Sequence, residues 1–166
     1  LLPWPGYPST WAEEGVAARL CQTRLGAQPR LAGLKHLNRL EQVLARAEWG
    51  DEFAEGLMRD ESGNIIEGTM TNIFLVRDGV LRTPDLTHCG VEGIMRGVVL
   101  ERADDLGIGH AIGPVTVAQL EQADEIFLTN SLIGLWPVRC LENRSYSIGK
   151  TTRKIQQAIR DTHCAG

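Results

Sequence analysis

Between residues 53 and 83 short apolar runs are punctuated by turn signals, and this stretch constrains the fold more than any other. Residues 53–60 read as a strand ending at Arg59-Asp60, and Glu61-Ser-Gly-Asn64 is a hairpin turn signal. Ile65-Ile-Glu-Gly68 follows as a short returning strand. Thr69-Met-Thr-Asn72 leads into Ile73-Phe-Leu-Val76, a buried strand, and Arg77-Asp-Gly79 turns it onto Val80-Leu-Arg-Thr83. The spacing predicts an antiparallel meander.

The flanking chain mixes both periodicities. From Gly15 to Leu25 the residues alternate, with Val16, Ala18, Leu20 and Gln22 on one face and Ala17, Arg19, Cys21 and Thr23 on the other, which predicts a strand. Gly26 to Pro29 is a turn. Leu37, Leu40, Val43, Leu44 and Ala47 recur at helical spacing, predicting an amphipathic helix over 36–47 with Lys35 at or just before its N-terminus. Pro84 to Gly90 is a loop. A second helix is expected from Glu92-Gly93 to Gly107, then a strand over 108–112, a short helix over 115–121, a strand over 124–129 and an extended segment over 132–141. A last amphipathic helix is expected over 149–162. The mixture predicts an α+β (mixed α/β) fold, with sheet and helices packed in layers.

Pro3, Pro5, Gly6 and Pro8 break regular structure, so 3–13 reads as irregular. Residues 1–14 are read as a linker or the tail of a preceding domain, and 15–166 as one folded domain. At 43% hydrophobic and 23% charged, the chain can bury one core. A formal net charge of −4, with no basic stripe or aromatic run, points away from nucleic acid. The apolar runs are too short to span a bilayer, and the N-terminus lacks the order of a signal peptide. Cys21, Cys89, Cys140 and Cys164 are widely spread without a C-x-x-C pair, so free thiols in a reducing cytoplasm are expected. His88-Cys89 is read as a loop pair and not as a metal site.

Three places carry chemistry. The first is Lys35. Of 17 basic residues 14 are arginines, yet an amine stands among Leu31, Ala32, Leu34 and Leu37. Burial and a helix N-terminus would both favour the neutral amine, the form that attacks a carbonyl. The bland alternative is a lysine whose stem packs on a core helix while its head stays in water. The second is Glu67, a carboxylate at a strand end that could hold a ring nitrogen protonated, or else a surface hairpin glutamate. The third joins Gly90-Val-Glu-Gly-Ile-Met-Arg96 to Thr129-Asn-Ser131, a glycine before a helix and a polar strand end, both suited to a phosphate.

The order of lysine, glutamate and phosphate candidates resembles the fold-type IV pyridoxal-phosphate enzymes. These include branched-chain and D-amino acid aminotransferases and 4-amino-4-deoxychorismate lyases. Gly33-Leu-Lys-His-Leu-Asn-Arg-Leu-Glu-Gln-Val-Leu44 is most similar to the lyase motif, whereas Glu67-Gly-Thr-Met-Thr-Asn-Ile-Phe74 and Gly93-Ile-Met-Arg96 are family-wide. The resemblance implies the C-terminal large domain of that fold, a mostly antiparallel sheet or pseudo-barrel packed with helices. It implies pyridoxal 5'-phosphate in Schiff-base linkage to Lys35, with Glu67 on the pyridine nitrogen. The phosphate would be held by the backbone of Ile94 and Met95, helped by Asn130 or Ser131. Arg39 and Asn38 fall near the site without an assigned contact.

The implied reaction is a cytoplasmic lyase step of folate biosynthesis. It converts 4-amino-4-deoxychorismate to 4-aminobenzoate and pyruvate, with Lys35 as general base and acid. The alternatives are amino-group transfer on the same frame, or a folded domain without activity. The resemblance also implies a homodimer and a smaller N-terminal domain with no counterpart in these residues.

Overall fold

A computed structural model describes residues 6–163. The stretch 1–5 of the expected linker and Cys164 lie outside the described residues. The elements are α1 (Thr10–Glu14), β1 (Val16–Leu25), α2 (Leu40–Arg46), β2 (Glu55–Asp60), β3 (Ile65–Gly68), β4 (Asn72–Arg77) and β5 (Val80–Pro84). They continue with α3 (Ile94–Asp105), β6 (His110–Gly113), α4 (Val117–Glu121), β7 (Glu125–Asn130), β8 (Gly134–Leu141), β9 (Arg144–Ser145) and α5 (Lys150–His163).

The strands form one curled sheet in the order β3-β2-β1-β8-β7-β4-β5-β6, with β9 on β8. The β1–β2, β1–β8 and β5–β6 pairs are parallel and the other five are antiparallel, so the sheet is mostly antiparallel as expected. Both expected hairpins form. Asp60 closes the first by accepting from the Asn64 backbone and side chain at 2.8 and 3.1 Å. Asp78 and Gly79 turn the second with φ of 51° and 76°, the left-handed pair that matches strand twist.

The meander itself is interrupted. β3 does not pair with β4: β2 and β3 stand on β1, whereas β4 and β5 stand on β7. The curl brings the β3 and β6 ends of the sheet near each other, and Ile65 N–H donates at 2.7 Å to the O of Val115, just beyond β6. The break falls at residues 69–71. There the Gly68 N–H turns back onto Thr71 O at 2.7 Å, and the buried Glu55 carboxylate collects donors from Thr69, Met70 and Thr71. Side-chain satisfaction of these backbone groups replaces the ladder that a continuous meander would have made.

Core residues lie on both faces of the sheet. Val16 and Ala18 of β1 join Leu57, Ile73, Ile126, Leu128 and Trp136 in one cluster. Cys21 and Leu25, on the opposite face of the same strand, join Ala45, Trp49, Met58 and Ile66 in another. A third, under α3 and α5, contains Phe74 and Phe127, stacked with centroids 5.1 Å apart, together with Val99, Ala103 and Ile155. Cys21, Cys89 and Cys140 are free thiols. Among the described residues no helix is long and apolar enough to cross a membrane.

Two expectations give way. Residues 10–14 are helical and packed: Trp11 meets Trp136 edge-on at 4.9 Å, and Gln156 Nε2 donates to Ala12 O at 2.6 Å. The helix expected over 36–47 is only Leu40–Arg46, and its apolar stripe faces outward. Leu37 is 101% exposed and Leu40, Val43 and Leu44 are also exposed, while Gln42 and Ala45 are buried. This helix covers its cluster with small Ala45 and polar Gln42, so periodicity found the helix but assigned its faces wrongly.

Phe127→Ala removes half of the stacked pair from a fully buried position. It is expected to lower unfolding free energy by about 3–5 kcal/mol in a urea titration, with the slope unchanged.

Candidate functional site

The interruption at 69–71 leaves room beside Glu67. A cleft of about 350 Å³ opens there, lined by Lys35, Arg39, Glu67, Met70, Asn72, Val91, the start of α3 and Thr129–Leu132. The six residues nominated from sequence, Lys35, Glu67, Ile94, Met95, Asn130 and Ser131, all line it.

Three loops are stitched together around Glu67. Its Oε2 accepts from Val91 N–H at 2.7 Å. Asn72 accepts from Gly93 N–H at 3.2 Å and donates to Val91 O at 2.7 Å, which fixes the start of α3 to the start of β4. Gly33 donates to Gly90 O and accepts from Glu92 N–H, both at 2.9 Å, which ties the lysine loop to the same strip. Buried Arg96 adds an anchor from α3 to the end of β5, donating to Pro84 O at 3.0 Å.

Glu67 is 2% exposed. Burial pushes its carboxyl above the usual carboxylate range. The Val91 N–H, the Arg39 guanidinium at 3.6 Å and the Gln42 amide at 3.3 Å oppose that rise by favouring the charged form. The surface-hairpin reading of Glu67 is therefore incorrect. Arg39, without a contact in the sequence reading, is the cation that faces this carboxylate.

Lys35 differs from expectation in its surroundings. It is exposed, as are Leu31, Leu34 and Leu37, and α2 begins only at Leu40. Neither apolar burial nor a helix N-terminus acts on the amine in this chain. It stands at the rim of the cleft.

The phosphate candidates also sort themselves. Gly93 precedes α3 in an extended conformation and supplies no side-chain cap, so the first turn keeps its free donors toward the cleft. Thr129 is fully buried, lines the cleft, and its Oγ1 has no hydrogen-bond partner. Asn130 is already occupied: its Oδ1 accepts from Leu132 and Ile133, and its amide donates to Met70 O at 3.1 Å. Asn130 shapes the turn, and Ser131 is exposed beside it.

The class IV amino-transferase family model matches residues 1–141. The chain belongs to this family. It is 44% identical to an aminodeoxychorismate lyase of Vibrio harveyi over 92% of its own length and 58% of the relative's. It is 31% identical to the branched-chain-amino-acid aminotransferase of Escherichia coli K12, covering 95% of this chain and 53% of the other. The solved 4-amino-4-deoxychorismate lyase of Pseudomonas aeruginosa superposes with a TM-score of 0.93 at 53% identity, over 96% of this chain and 60% of that one. A branched-chain aminotransferase of Thermoproteus uzoniensis gives 0.83 at 30% identity, over 96% and 54%. The chain thus spans little more than half the length of these relatives.

Proteins of this class IV family use pyridoxal phosphate. The residues present fit that group. An uncapped helix start beside an orphaned, buried threonine hydroxyl suits its phosphate, a buried carboxylate suits its ring nitrogen, and a rim lysine suits its aldehyde.

Arg39→Ala removes the cation that faces Glu67, so the carboxyl is expected to rise further. A raised folded-state value means that ionised Glu67 costs stability at neutral pH and that this cost disappears as pH falls through the raised value toward about 4.3. The variant is therefore expected to lose on the order of 1 kcal/mol at pH 7 and to recover most of it on acidification. Urea titrations across pH, with a carbon-13 carboxyl titration of Glu67, check both signs.

Proposed function

We propose that this chain forms the cofactor-binding part of a pyridoxal-phosphate-dependent aminodeoxychorismate lyase that releases 4-aminobenzoate and pyruvate. The observation that carries the reading is the convergence of Lys35, Glu67, the start of α3 and Thr129–Ser131 on one cleft. The Lys35-His-Leu-Asn-Arg39 stretch and the lyase relatives favour this chemistry over amino-group transfer.

When bound, pyridoxal phosphate supplies an electron sink for bond cleavage at the substrate. The chain's own residues have distinct tasks. Lys35 would be the residue that holds the group at its aldehyde, and its amine would take and return a proton at the substrate. Glu67 would hold a proton on the ring nitrogen; burial disfavours its ionised form, and Val91 N–H, Arg39 and Gln42 oppose that. The Ile94 and Met95 N–H groups with Thr129 Oγ1 would hold the phosphate, and Ser131 lines the same cleft. Met70 and Leu132 give the cleft apolar wall.

The reading extends to a cytoplasmic homodimer in which a smaller N-terminal part of the same protein closes the cleft. Exposed Ile94 and Leu132 at the cleft, with exposed Leu34 and Leu37 flanking Lys35 in the chain, support a covered rim, and the outward face of α2 supports a further contact.

Borohydride reduction in the presence of pyridoxal phosphate, followed by peptide mapping, is expected to trap the cofactor on Lys35. Lys35→Ala is expected to lose the visible band and at least roughly 10³-fold in rate. Pyruvate release from 4-amino-4-deoxychorismate supports the lyase. Amino exchange with a keto acid and no pyruvate would assign the transferase chemistry. No adduct at Lys35 would overturn both.

A further inference from the structure

We propose that Glu55 is a positioning residue of this cleft: its carboxylate gathers the 69–71 crossing and thereby sets where Glu67 and the Met70–Asn72 wall stand. The inference rests on the reading of the cleft as the cofactor and substrate site.

Glu55 begins β2 and is fully buried, yet it does not line the cleft. Its Oε1 accepts from Gly56 N–H at 2.9 Å, Thr69 N–H at 3.0 Å and Thr69 Oγ1 at 2.6 Å. Its Oε2 accepts from Met70 N–H at 3.1 Å and Thr71 Oγ1 at 2.9 Å. Three consecutive residues are thus held by one side chain, and two of them, Met70 and Thr71, are cleft walls. The close approach is built in at Gly68, where a Cβ would run into Thr71 Oγ1 and lie 2.7 Å from Glu55 Oε2.

The crossing connects the two working groups. Glu67 immediately precedes Gly68, and Asn72 immediately follows Thr71. Arg39, the cation facing Glu67, has a second long contact at 3.5 Å to Thr69 O, so the clasped loop also sets where that guanidinium sits. All of Glu55's partners are donors, and none is a cation. A carboxylate supplies the acceptor sites this loop needs, whereas an isosteric amide would turn an NH₂ group against N–H or O–H donors.

The test uses the holoenzyme, meaning the whole protein loaded with pyridoxal phosphate. It compares wild type with Glu55→Gln, Glu55→Asp and Thr69→Val. Thr69→Val removes a single hydroxyl donor from a residue that does not line the cleft. Far-UV circular dichroism reports folding, and the visible-range circular dichroism of the bound cofactor reports its orientation. Steady-state kinetics separate kcat from KM. Glu55→Gln is expected to alter the visible dichroic band and to lower kcat at least tenfold with KM within threefold. Thr69→Val is expected to move both readouts in the same direction by less, and Glu55→Asp to recover part of the loss. A folded Glu55→Gln with wild-type dichroism and kcat within twofold would overturn the positioning role. If Glu55→Gln does not fold, a Thr69→Val protein unchanged in band and kcat would overturn it equally. A wild-type protein that takes up no cofactor on Lys35 defeats the underlying reading of the cleft, a result separate from either.

Discussion

The carboxylate of Glu55 replaces a ladder of strand pairing. A hairpin meander through residues 55–84 would have laid β3 against β4 and filled the space beside Glu67. Instead the chain crosses from one end of the curled sheet toward the other within three residues, and its polar groups are met by single bonds, Thr69 N–H to Gly56 O of β2 at 3.1 Å among them, in place of a continuous strand ladder. Buried backbone donors left unpaired would make that route prohibitive. Glu55 accepts from the N–H groups of Thr69 and Met70 and from the hydroxyls of Thr69 and Thr71. Burial pushes its own carboxyl above the usual carboxylate range and these donors pull it back, so the residue and the loop it holds satisfy one another.

From that crossing the site follows by short links. Glu67, near the end of β3, has Val91 N–H on one oxygen; Gly33 bonds the residues on either side of Val91, and Asn72 bonds Val91 O and Gly93 N–H. The start of α3 is therefore fixed to both the glutamate strand and the lysine loop. An anion at that helix start and a cationic ring at Glu67 would sit on elements coupled through a few atoms. Several hydrogen bonds tie Glu67 to the start of α3, while Lys35 itself lies exposed at the rim.

How much of this could be read from the sequence differs from element to element. Both hairpins announced themselves, because turn chemistry at Asp60–Asn64 and Asp78–Gly79 is local. The candidate residues were legible because three motifs in a fixed order resemble a known family. The interruption of the meander was not legible, since it depends on a glutamate fifteen or so positions from the donors it collects. Helical spacing located α2 but misassigned its faces: a leucine stripe normally marks a core, and here Gln42 and Ala45 turn inward. The burial argued for Lys35 failed for the same reason, as its leucine neighbours also face out. Thr129 stood within a stretch singled out for phosphate, yet only the unpartnered hydroxyl distinguishes it from Asn130, whose amide is already committed.

The arrangement also bears on how one frame can serve two chemistries. Glu67 and Gly93–Arg96 lie in the stretches that the sequence resemblance makes family-wide, so by that reading they do not by themselves separate cleavage from amino-group transfer. The Lys35–Arg39 stretch is different, because it is the part of the wall that resembles the lyases. Its last residue is the only one in the stretch with described contacts to both the ring-nitrogen candidate and the clasped loop, through Glu67 Oε1 and Thr69 O. A guanidinium at that point adds a fixed positive charge beside the buried carboxylate, which a neutral side chain could not do. It favours ionised Glu67 and lines the cleft. That contact is made by side chains where the lysine loop meets the loop held by Glu55, and it leaves the strand pairing as it is.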